Sequence, residues 1–239
     1  MRKISSLMRK AISTFDMIQE GDKIAVGLSG GKDSLSLLSV LKNYQLYAKE
    51  NFELIAISVD LFNGATDYSH IQKFCDDLKV ELIIVPSNIY SIVFDIRKES
   101  NPCSLCANMR RGILNSKAKE LGCNKVALGH HKDDFVQTFF LSLFYEGRLS
   151  SFQPVTYLDH IDITVIRPFL YVPESLIVEF SKLFPIINSC CPANKKTKRE
   201  YIKNLISQIE KDIPQSKDRV FDAITHTERN NLYKTTGKK

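Results

Sequence analysis

The chain has no run of residues both long and apolar enough to suggest a membrane span. Charge-free stretches such as Phe135–Tyr145 fall well short of the roughly 18 apolar residues a spanning helix needs. Nor is there an uninterrupted hydrophobic stretch within Met1–Asp22, where charged and apolar residues alternate, so we expect no secretory signal and a cytoplasmic location. No internal repeat is present, which argues against a solenoid or propeller, and no composition bias marks a disordered chain. With 239 residues, 44% of them apolar, the protein can bury a full core, enough for one α/β domain with a small appendage. The six cysteines suit metal ligands or reactive thiols better than a disulfide framework in an intracellular protein of this size. The net charge of +6 is modest, but cations gather at Arg2, Lys3, Arg9 and Lys10 and again at Lys195, Lys196, Lys198, Arg199 and Lys203. Each group fits either a phosphate-contacting surface or an ordinary solvated helix face.

Two common nucleotide signatures are missing as well. A Walker A loop needs four residues between its first glycine and the Gly-Lys pair, then Ser or Thr. Here Gly27 and Gly31 enclose only three, and Asp33 follows Lys32. A G-x-G-x-x-G reading fails too. What is present is Ser29-Gly30-Gly31-Lys32-Asp33-Ser34, set between a strand-like Ile24–Leu28 and a helix-like Leu35–Leu41. Adjacent glycines let backbone N–H groups approach an anion, the helix start adds the favourable end of its dipole, and Lys32 supplies a mobile positive charge. The segment reads as a phosphate cradle, and its order of residues resembles the PP-loop of enzymes that use ATP to adenylate a substrate and release pyrophosphate.

Apolar periodicity predicts an amphipathic helix over residues 1–20 and strands at Ile24–Leu28, Leu54–Val59, Leu82–Val85 and Val126–Leu128, separated by helical stretches. Such alternation predicts a parallel sheet with helices on both faces. Ligands in such sheets sit beyond the carboxyl ends of the strands, where strand order reverses. The glycine loop, Val59-Asp60 and Gly129-His130-His131 all fall at such ends. Beyond residue 147 we expect a loop from Gly147 to Asp162, a strand near Ile163–Ile166, and helices over Pro173–Leu183, Arg199–Lys211 and Asp218–Thr227.

Cys103-Ser104-Leu105-Cys106 opens an apparent helix with Arg110 and Arg111 within two turns, and Cys190-Cys191-Pro192 lies far downstream. A helix start and nearby arginines favour thiolates. The two pairs admit structural zinc, an iron–sulfur cluster, a redox dithiol or unligated thiols. Neighbouring side chains diverge, so one of Cys190 and Cys191 is expected to coordinate. Cys75 and Cys123 read as small core residues. Gly129-His130-His131-Lys132-Asp133-Asp134 opens another helix. Its carboxylates suit helix capping, magnesium bound with ATP phosphates, or proton transfer. Of the two histidines we expect nucleotide contact and no zinc.

Taken together, Glu20-Gly21-Asp22, the Ser29–Ser34 loop, the Cys103–Cys106 pair with Arg110-Arg111-Gly112, Leu128–Asp134, Ile166-Arg167-Pro168 and Phe184-Pro185-Ile186-Ile187 resemble the tRNA 2-thiocytidine synthetases of the TtcA type, from about Phe15 to His226. That resemblance implies a PP-loop fold, Rossmann-like and akin to the adenine nucleotide alpha-hydrolases. We expect an N-terminal helix over 1–20, an ATP-binding α/β domain over 21–170 that carries the Cys103–Cys106 pair, and a C-terminal helical region over 171–239. The resemblance implies ATP-dependent replacement of a cytidine 2-oxygen by sulfur, typically at position 32 of tRNA, with ATP, magnesium and a [4Fe-4S] cluster. The implied catalytic residues are Lys32, Asp33, Arg110 and Asp134. ATP would be held by Ser29, Gly30, Gly31, Lys32, Asp33, Ser34, Val59, Asp60, Gly129, His130 and Asp134, and the cluster by Cys103, Cys106 and Cys191. Cys190-Cys191-Pro192 departs from the Cys-x-x-Cys of typical members and leans toward the related tRNA thiouridine synthetases. The implied partners are tRNA, a sulfur donor such as a cysteine desulfurase, and a second copy of the chain. An amide-forming PP-loop ligase such as a tRNA lysidine synthetase, and a zinc-stabilised RNA-binding protein, are the rival readings.

Overall fold

The computed structural model describes residues 1–97, 102–187, 197–229 and 232, and the chain divides into two units, Met1–Lys132 with Gln153–Asn194, and Asp133–Phe152 with Lys195–Lys239. Cys190 and Cys191 lie outside the described residues. Among the described residues no helix is long and apolar enough to cross a membrane.

The first unit is built on β1 Lys23–Gly27, β2 Glu53–Asp60, β3 Leu82–Pro86, β4 Lys125–Ala127, β5 Val155–Leu158 and β6 Ile163–Ile166, joined in the order β3-β2-β1-β4-β6-β5. Every pairing is parallel except β5 with β6. The four strands read from apolar runs are all present; β1, β2 and β4 are largely buried, as parallel strands covered on both faces are, while the edge strand β3 is mostly half-exposed. The sheet grows one way through α2 Lys32–Gln45 and α3 Ser69–Asp77, then reverses across α4 Pro102–Glu120. Right-handed crossovers therefore put α2 and α3 on one face and α4 on the other. Ala25, Ile55, Ile57, Val59 and Val126 turn to the α4 side and pack with its Leu114 and Ala118, while Cys123 is buried among them. Cys75 is buried too, and burial pushes its thiol up to about 11. Both behave as core residues.

Two segments differ from expectation. The first helix, α1, spans Arg2–Thr14 and stops six residues early. Asp16 takes a positive φ of 47° that ends the helix, yet Met17 and Ile18 stay buried and so prolong the apolar period past the real boundary. The expected loop from Gly147 to Asp162 contains β5, a short edge strand whose half-exposed side chains carry no clear alternation.

Glu20-Gly21-Asp22 ties the entrances of three strands together. Glu20 accepts hydrogen bonds from the backbone and side-chain nitrogens of Asn51, just before β2. Asp22 accepts from the Gln19 amide at 2.6 Å and the Asn124 side chain at 2.7 Å, and pairs with Lys125 at 2.7 Å. Lys125 also donates to the Met17 carbonyl at 3.0 Å. Both side chains are under 10% exposed, at 9% for Lys125 and 4% for Asp22, so this pair is a pin between β1 and β4 that is saturated with hydrogen bonds.

The second unit comprises most of α5 Lys132–Glu146, with α7 Lys198–Asp212 and α8 Ser216–Thr225. Thr197 caps α7 by accepting from the Glu200 amide at 3.2 Å, in a Thr-x-x-Glu pattern. Phe135 is buried edge-on against Phe152 and Phe221.

Removing one partner of a buried pair strands a charge and costs about 3–5 kcal/mol. We expect Lys125→Met to lower stability by that order in denaturant unfolding, and Asp22→Asn combined with Lys125→Met to recover part of it. A single variant as stable as the parent would remove the pin from the account.

Candidate active site

At the end of β1 the chain keeps one more sheet bond, Leu28 N–H to the Ile57 carbonyl at 2.8 Å, and then turns through Ser29–Gly31 into α2. Gly30 has a φ of +76°, and a Cβ there would stand 3.0 Å from Ile187, whose own amide donates to the Gly30 carbonyl at 2.9 Å. Only glycine meets both demands. Ser34 closes the loop: its hydroxyl donates to the Gly31 carbonyl at 3.0 Å and accepts from the Ser29 amide at 3.1 Å. The N-cap of α2 is Gly31, with no side-chain cap. The first amides of the helix are thus left without an intrahelical acceptor, at the positive end of the helix dipole. This is an anion site built from backbone.

Lys32 stands over that site between two carboxylates. Its Nζ lies 2.9 Å from Asp33 Oδ1 and 3.1 Å from Glu174 Oε1, the latter on the first residue of α6 Glu174–Phe180. Burial disfavours the ammonium, but hydrogen bonds and attraction from Asp33 and Glu174 outweigh it and hold the pKa above the ordinary lysine value. Glu174 was not legible in the sequence; the only signal was a Pro-Glu pair opening a short helix after Ile166-Arg167-Pro168.

The loop after β4 rests on the same spot. A Cβ on Gly129 would come within 3.0 Å of the Asp33 carbonyl carbon and oxygen and 3.1 Å of the Ser34 nitrogen. The buried His131 places Nε2 3.7 Å from Asp33 Oδ1. Motifs a hundred residues apart in the chain therefore converge between β1 and β4, where the strand order reverses.

Asp60, expected at the nucleotide, is fully buried and accepts from the Phe62 amide at 3.1 Å, the Gly64 amide at 2.5 Å and the Thr66 hydroxyl at 2.6 Å. Burial alone would raise its pKa, but these hydrogen bonds prevail and lower it. Its carboxylate organises the loop after β2, and Val59 beside it is a core residue. Tyr68, half-buried next to this loop, has its phenol pKa raised by burial and by Asp60, against hydrogen bonds from Ser58 and Thr66 and the charge of Arg110. Arg110 lies on α4. It shares one face of α4 with Cys103 and Cys106, at i, i+3 and i+7. Cys103 is exposed and Cys106 half-buried. Cys106 packs on the core cluster that includes Val59, as does Leu128. Arg167 is buried, donating to the Gln153 carbonyl at 2.6 Å and the Thr156 hydroxyl at 3.2 Å, and burial with the nearby charge of Arg111 brings its pKa down to about 10. Its motif anchors the β5 approach.

In the second unit, Asp133 pairs with Lys217 at 2.7 Å and Asp134 lies 3.5 Å from Arg199. Arg199 also donates to Gln137 at 3.1 Å and Thr138 at 3.2 Å.

A family model for the PP-loop domain matches residues 2–213. The chain is 38% identical over 237 residues to a tRNA-cytidine(32) 2-sulfurtransferase of Ralstonia pickettii, covering 98% of this chain and 75% of that protein. It is 40% identical over 240 residues to the enzyme of that name from Syntrophotalea carbinolica, covering 97% and 91%. Among solved structures, the U34-tRNA thiolase NcsA from Methanococcus maripaludis with its [4Fe-4S] cluster superposes with a TM-score of 0.74 at 27% identity, covering 97% of this chain and 81% of that one.

Gly30→Ala places a side chain at positive φ against Ile187, at a cost of about 1–2 kcal/mol from the backbone alone. We expect a modestly lower Tm and a loss of ATP affinity on the order of tenfold or more; calorimetric titration giving unchanged affinity would dissociate the loop from the nucleotide. The depressed Asp60 pKa means that its contribution to stability is complete above the unfolded carboxyl pKa of about 3.9 and fades as pH falls through the lower folded value. Asp60→Asn should be less stable at neutral pH, and its deficit should narrow in acid unfolding scans below about pH 4; a deficit independent of pH would refute the assignment.

Proposed function

Because this chain belongs to the tRNA-cytidine(32) 2-sulfurtransferase family of PP-loop proteins, we propose that it uses ATP to adenylate the 2-oxygen of a tRNA cytidine, at position 32, and then replaces that oxygen with sulfur. The observation that carries the reading is the Ser29–Ser34 loop, closed on itself by Ser34, with uncapped helix amides and Lys32 at its mouth.

In the first step the cytidine 2-oxygen attacks the α-phosphorus of ATP and pyrophosphate departs. The loop amides and Lys32 stabilise the charge that builds on the phosphate oxygens, where preorganised donors are worth most. Asp33 and Glu174 keep Lys32 protonated and confined near the loop until phosphate oxygens compete for it. We assign magnesium and nucleotide orientation to Asp33 and, by its motif, Asp134, with His130 and Gly129 on the nucleotide. In the second step sulfur attacks C2, and the oxygen leaves as part of AMP.

Cys103 and Cys106 suit an iron–sulfur cluster: two thiols one helical turn apart, one exposed and one half-buried. Cys191 is the proposed third ligand. When bound, a cluster on three protein thiols supplies an iron open to a labile sulfur. To Arg110, on the same helix face, we assign the steadying of negative charge between that centre and the nucleotide. A cysteine desulfurase as sulfur source, a homodimer and a cytoplasmic location complete the reading. A uridine substrate is the second reading, favoured by the NcsA superposition; the higher identity to cytidine enzymes supports cytidine.

The test is nucleoside mass spectrometry of tRNA incubated with the oxygen-free protein, ATP and sulfide. We expect 2-thiocytidine from the parent. Lys32→Ala should cut the rate on the order of a hundredfold or more while keeping its iron, and Cys103→Ala or Cys106→Ala should lose the iron. Thiouridine alone would overturn the choice of base, zinc without iron would favour an RNA-binding module, and no bound metal would favour a ligase.

A further inference from the structure

We propose that the exposed face of α1 is a docking surface for the tRNA phosphate backbone, an inference that rests on the tRNA reading above and adds to it where the RNA lies. The helix Arg2–Thr14 carries four cations, Arg2, Lys3, Arg9 and Lys10, and no carboxylate. All four are exposed, whereas Ile4, Met8, Ala11 and Ile12 are buried against the first unit. At 100° per residue the four cations fall on one arc with Ser6, Ser13 and Thr14, hydroxyls able to donate to phosphate. Arg2 and Arg9, like Lys3 and Lys10, stand seven residues and so about 10 Å apart along the helix.

Among the described residues none of the four cations forms an ion pair with a carboxylate. Arg2 and Lys3 also sit in the first turn, where the helix dipole disfavours cations and where no acidic residue or side-chain cap compensates them. Charge kept at that disadvantage, all of one sign and all facing outward, is complementary to a polyanion. A lipid surface is the poorer match, since an interfacial helix needs an apolar face and that of α1 is buried.

The arc also leads to the phosphate loop. Lys10 Nζ lies 4.8 Å over the ring of Tyr171, and Phe15 packs on the same ring. Tyr171 is three residues from Glu174, a span of at most about 11 Å, and Glu174 is 3.1 Å from Lys32. RNA lying along α1 therefore runs toward the loop at which its base is activated.

The experiment compares full-length parent with Arg2→Gln/Lys3→Gln/Arg9→Gln, sparing Lys10 and its contact with Tyr171, and measures tRNA affinity from 50 to 200 mM salt. Three lost phosphate contacts should weaken binding on the order of tenfold and reduce the slope of log affinity against log salt by about 2 to 3. ATP affinity and Tm should stay at parental values, and Arg2→Lys/Arg9→Lys should bind like the parent. Arg9→Gln alone should lose about one unit of slope, which keeps the proposal testable should the triple variant not fold. Unchanged tRNA affinity and slope in the variants would overturn the docking surface and leave the thiolation reading standing. A parent that binds no tRNA would overturn both, and variants that lose only binding to anionic phospholipid vesicles would assign the face to a membrane instead.

Discussion

The site depends on one close approach of backbone to backbone. The loop after β4 lies against the first residues of α2 so tightly that a methyl group on Gly129 would press on the Asp33 peptide. This is possible because β1 has β2 on one side and β4 on the other, so the loops leaving β1 and β4 emerge side by side where the strand order reverses, the place at which such sheets form a ligand crevice. Had β4 joined at the far edge, the phosphate loop would face solvent with no second wall, and His131 could not reach Asp33. The strand order is what turns a glycine-rich turn into a site.

Two lysine–aspartate pairs in the same unit show how similar groups serve opposite ends. Asp22 and Lys125 are buried, and every additional hydrogen bond they make is to a fixed neighbour. Such a pair holds geometry and has no capacity left for a ligand. Lys32, Asp33 and Glu174 keep between 20% and 33% of their side-chain surface exposed. Partial exposure makes their pairing weak as a source of stability, and for that reason exchangeable: an incoming phosphate can take Lys32 from one carboxylate while the other still restrains it.

Much of the fold was legible because buried parallel strands announce themselves as apolar runs, and the loop because its six residues satisfy a demanding local geometry. What escaped did so for physical reasons. The period of α1 ran on through Met17 and Ile18, which are buried for tertiary reasons after Asp16 has already ended the helix. β5 is an edge strand with little to bury, so it carries no pattern. Glu174 is a single carboxylate whose meaning comes only from where β6 delivers it. Asp60 stands at the end of β2 as its place in the strand predicts, but the hydrogen bonds its carboxylate accepts from the amides and hydroxyl of its own loop follow no sequence pattern.

The segment from Arg167 to Ile187 is best understood as the third wall of the crevice. Arg167 fixes its start through buried hydrogen bonds to the β5 approach. Its middle is held by the Lys132 amide, which donates to the Val172 carbonyl at 3.0 Å, and its end by the Ile187 amide on Gly30 at 2.9 Å. One stretch of chain is thus bonded to both loops that define the switch point. Between those two bonds it presents Glu174 to Lys32, and just before them Tyr171 to α1. Because the bonds at either end are to backbone, the position of Glu174 follows the relative placement of the two loops. Glu174 is therefore placed by the same two loops that form the phosphate site, which ties the position of the carboxylate restraining Lys32 to the geometry of that site.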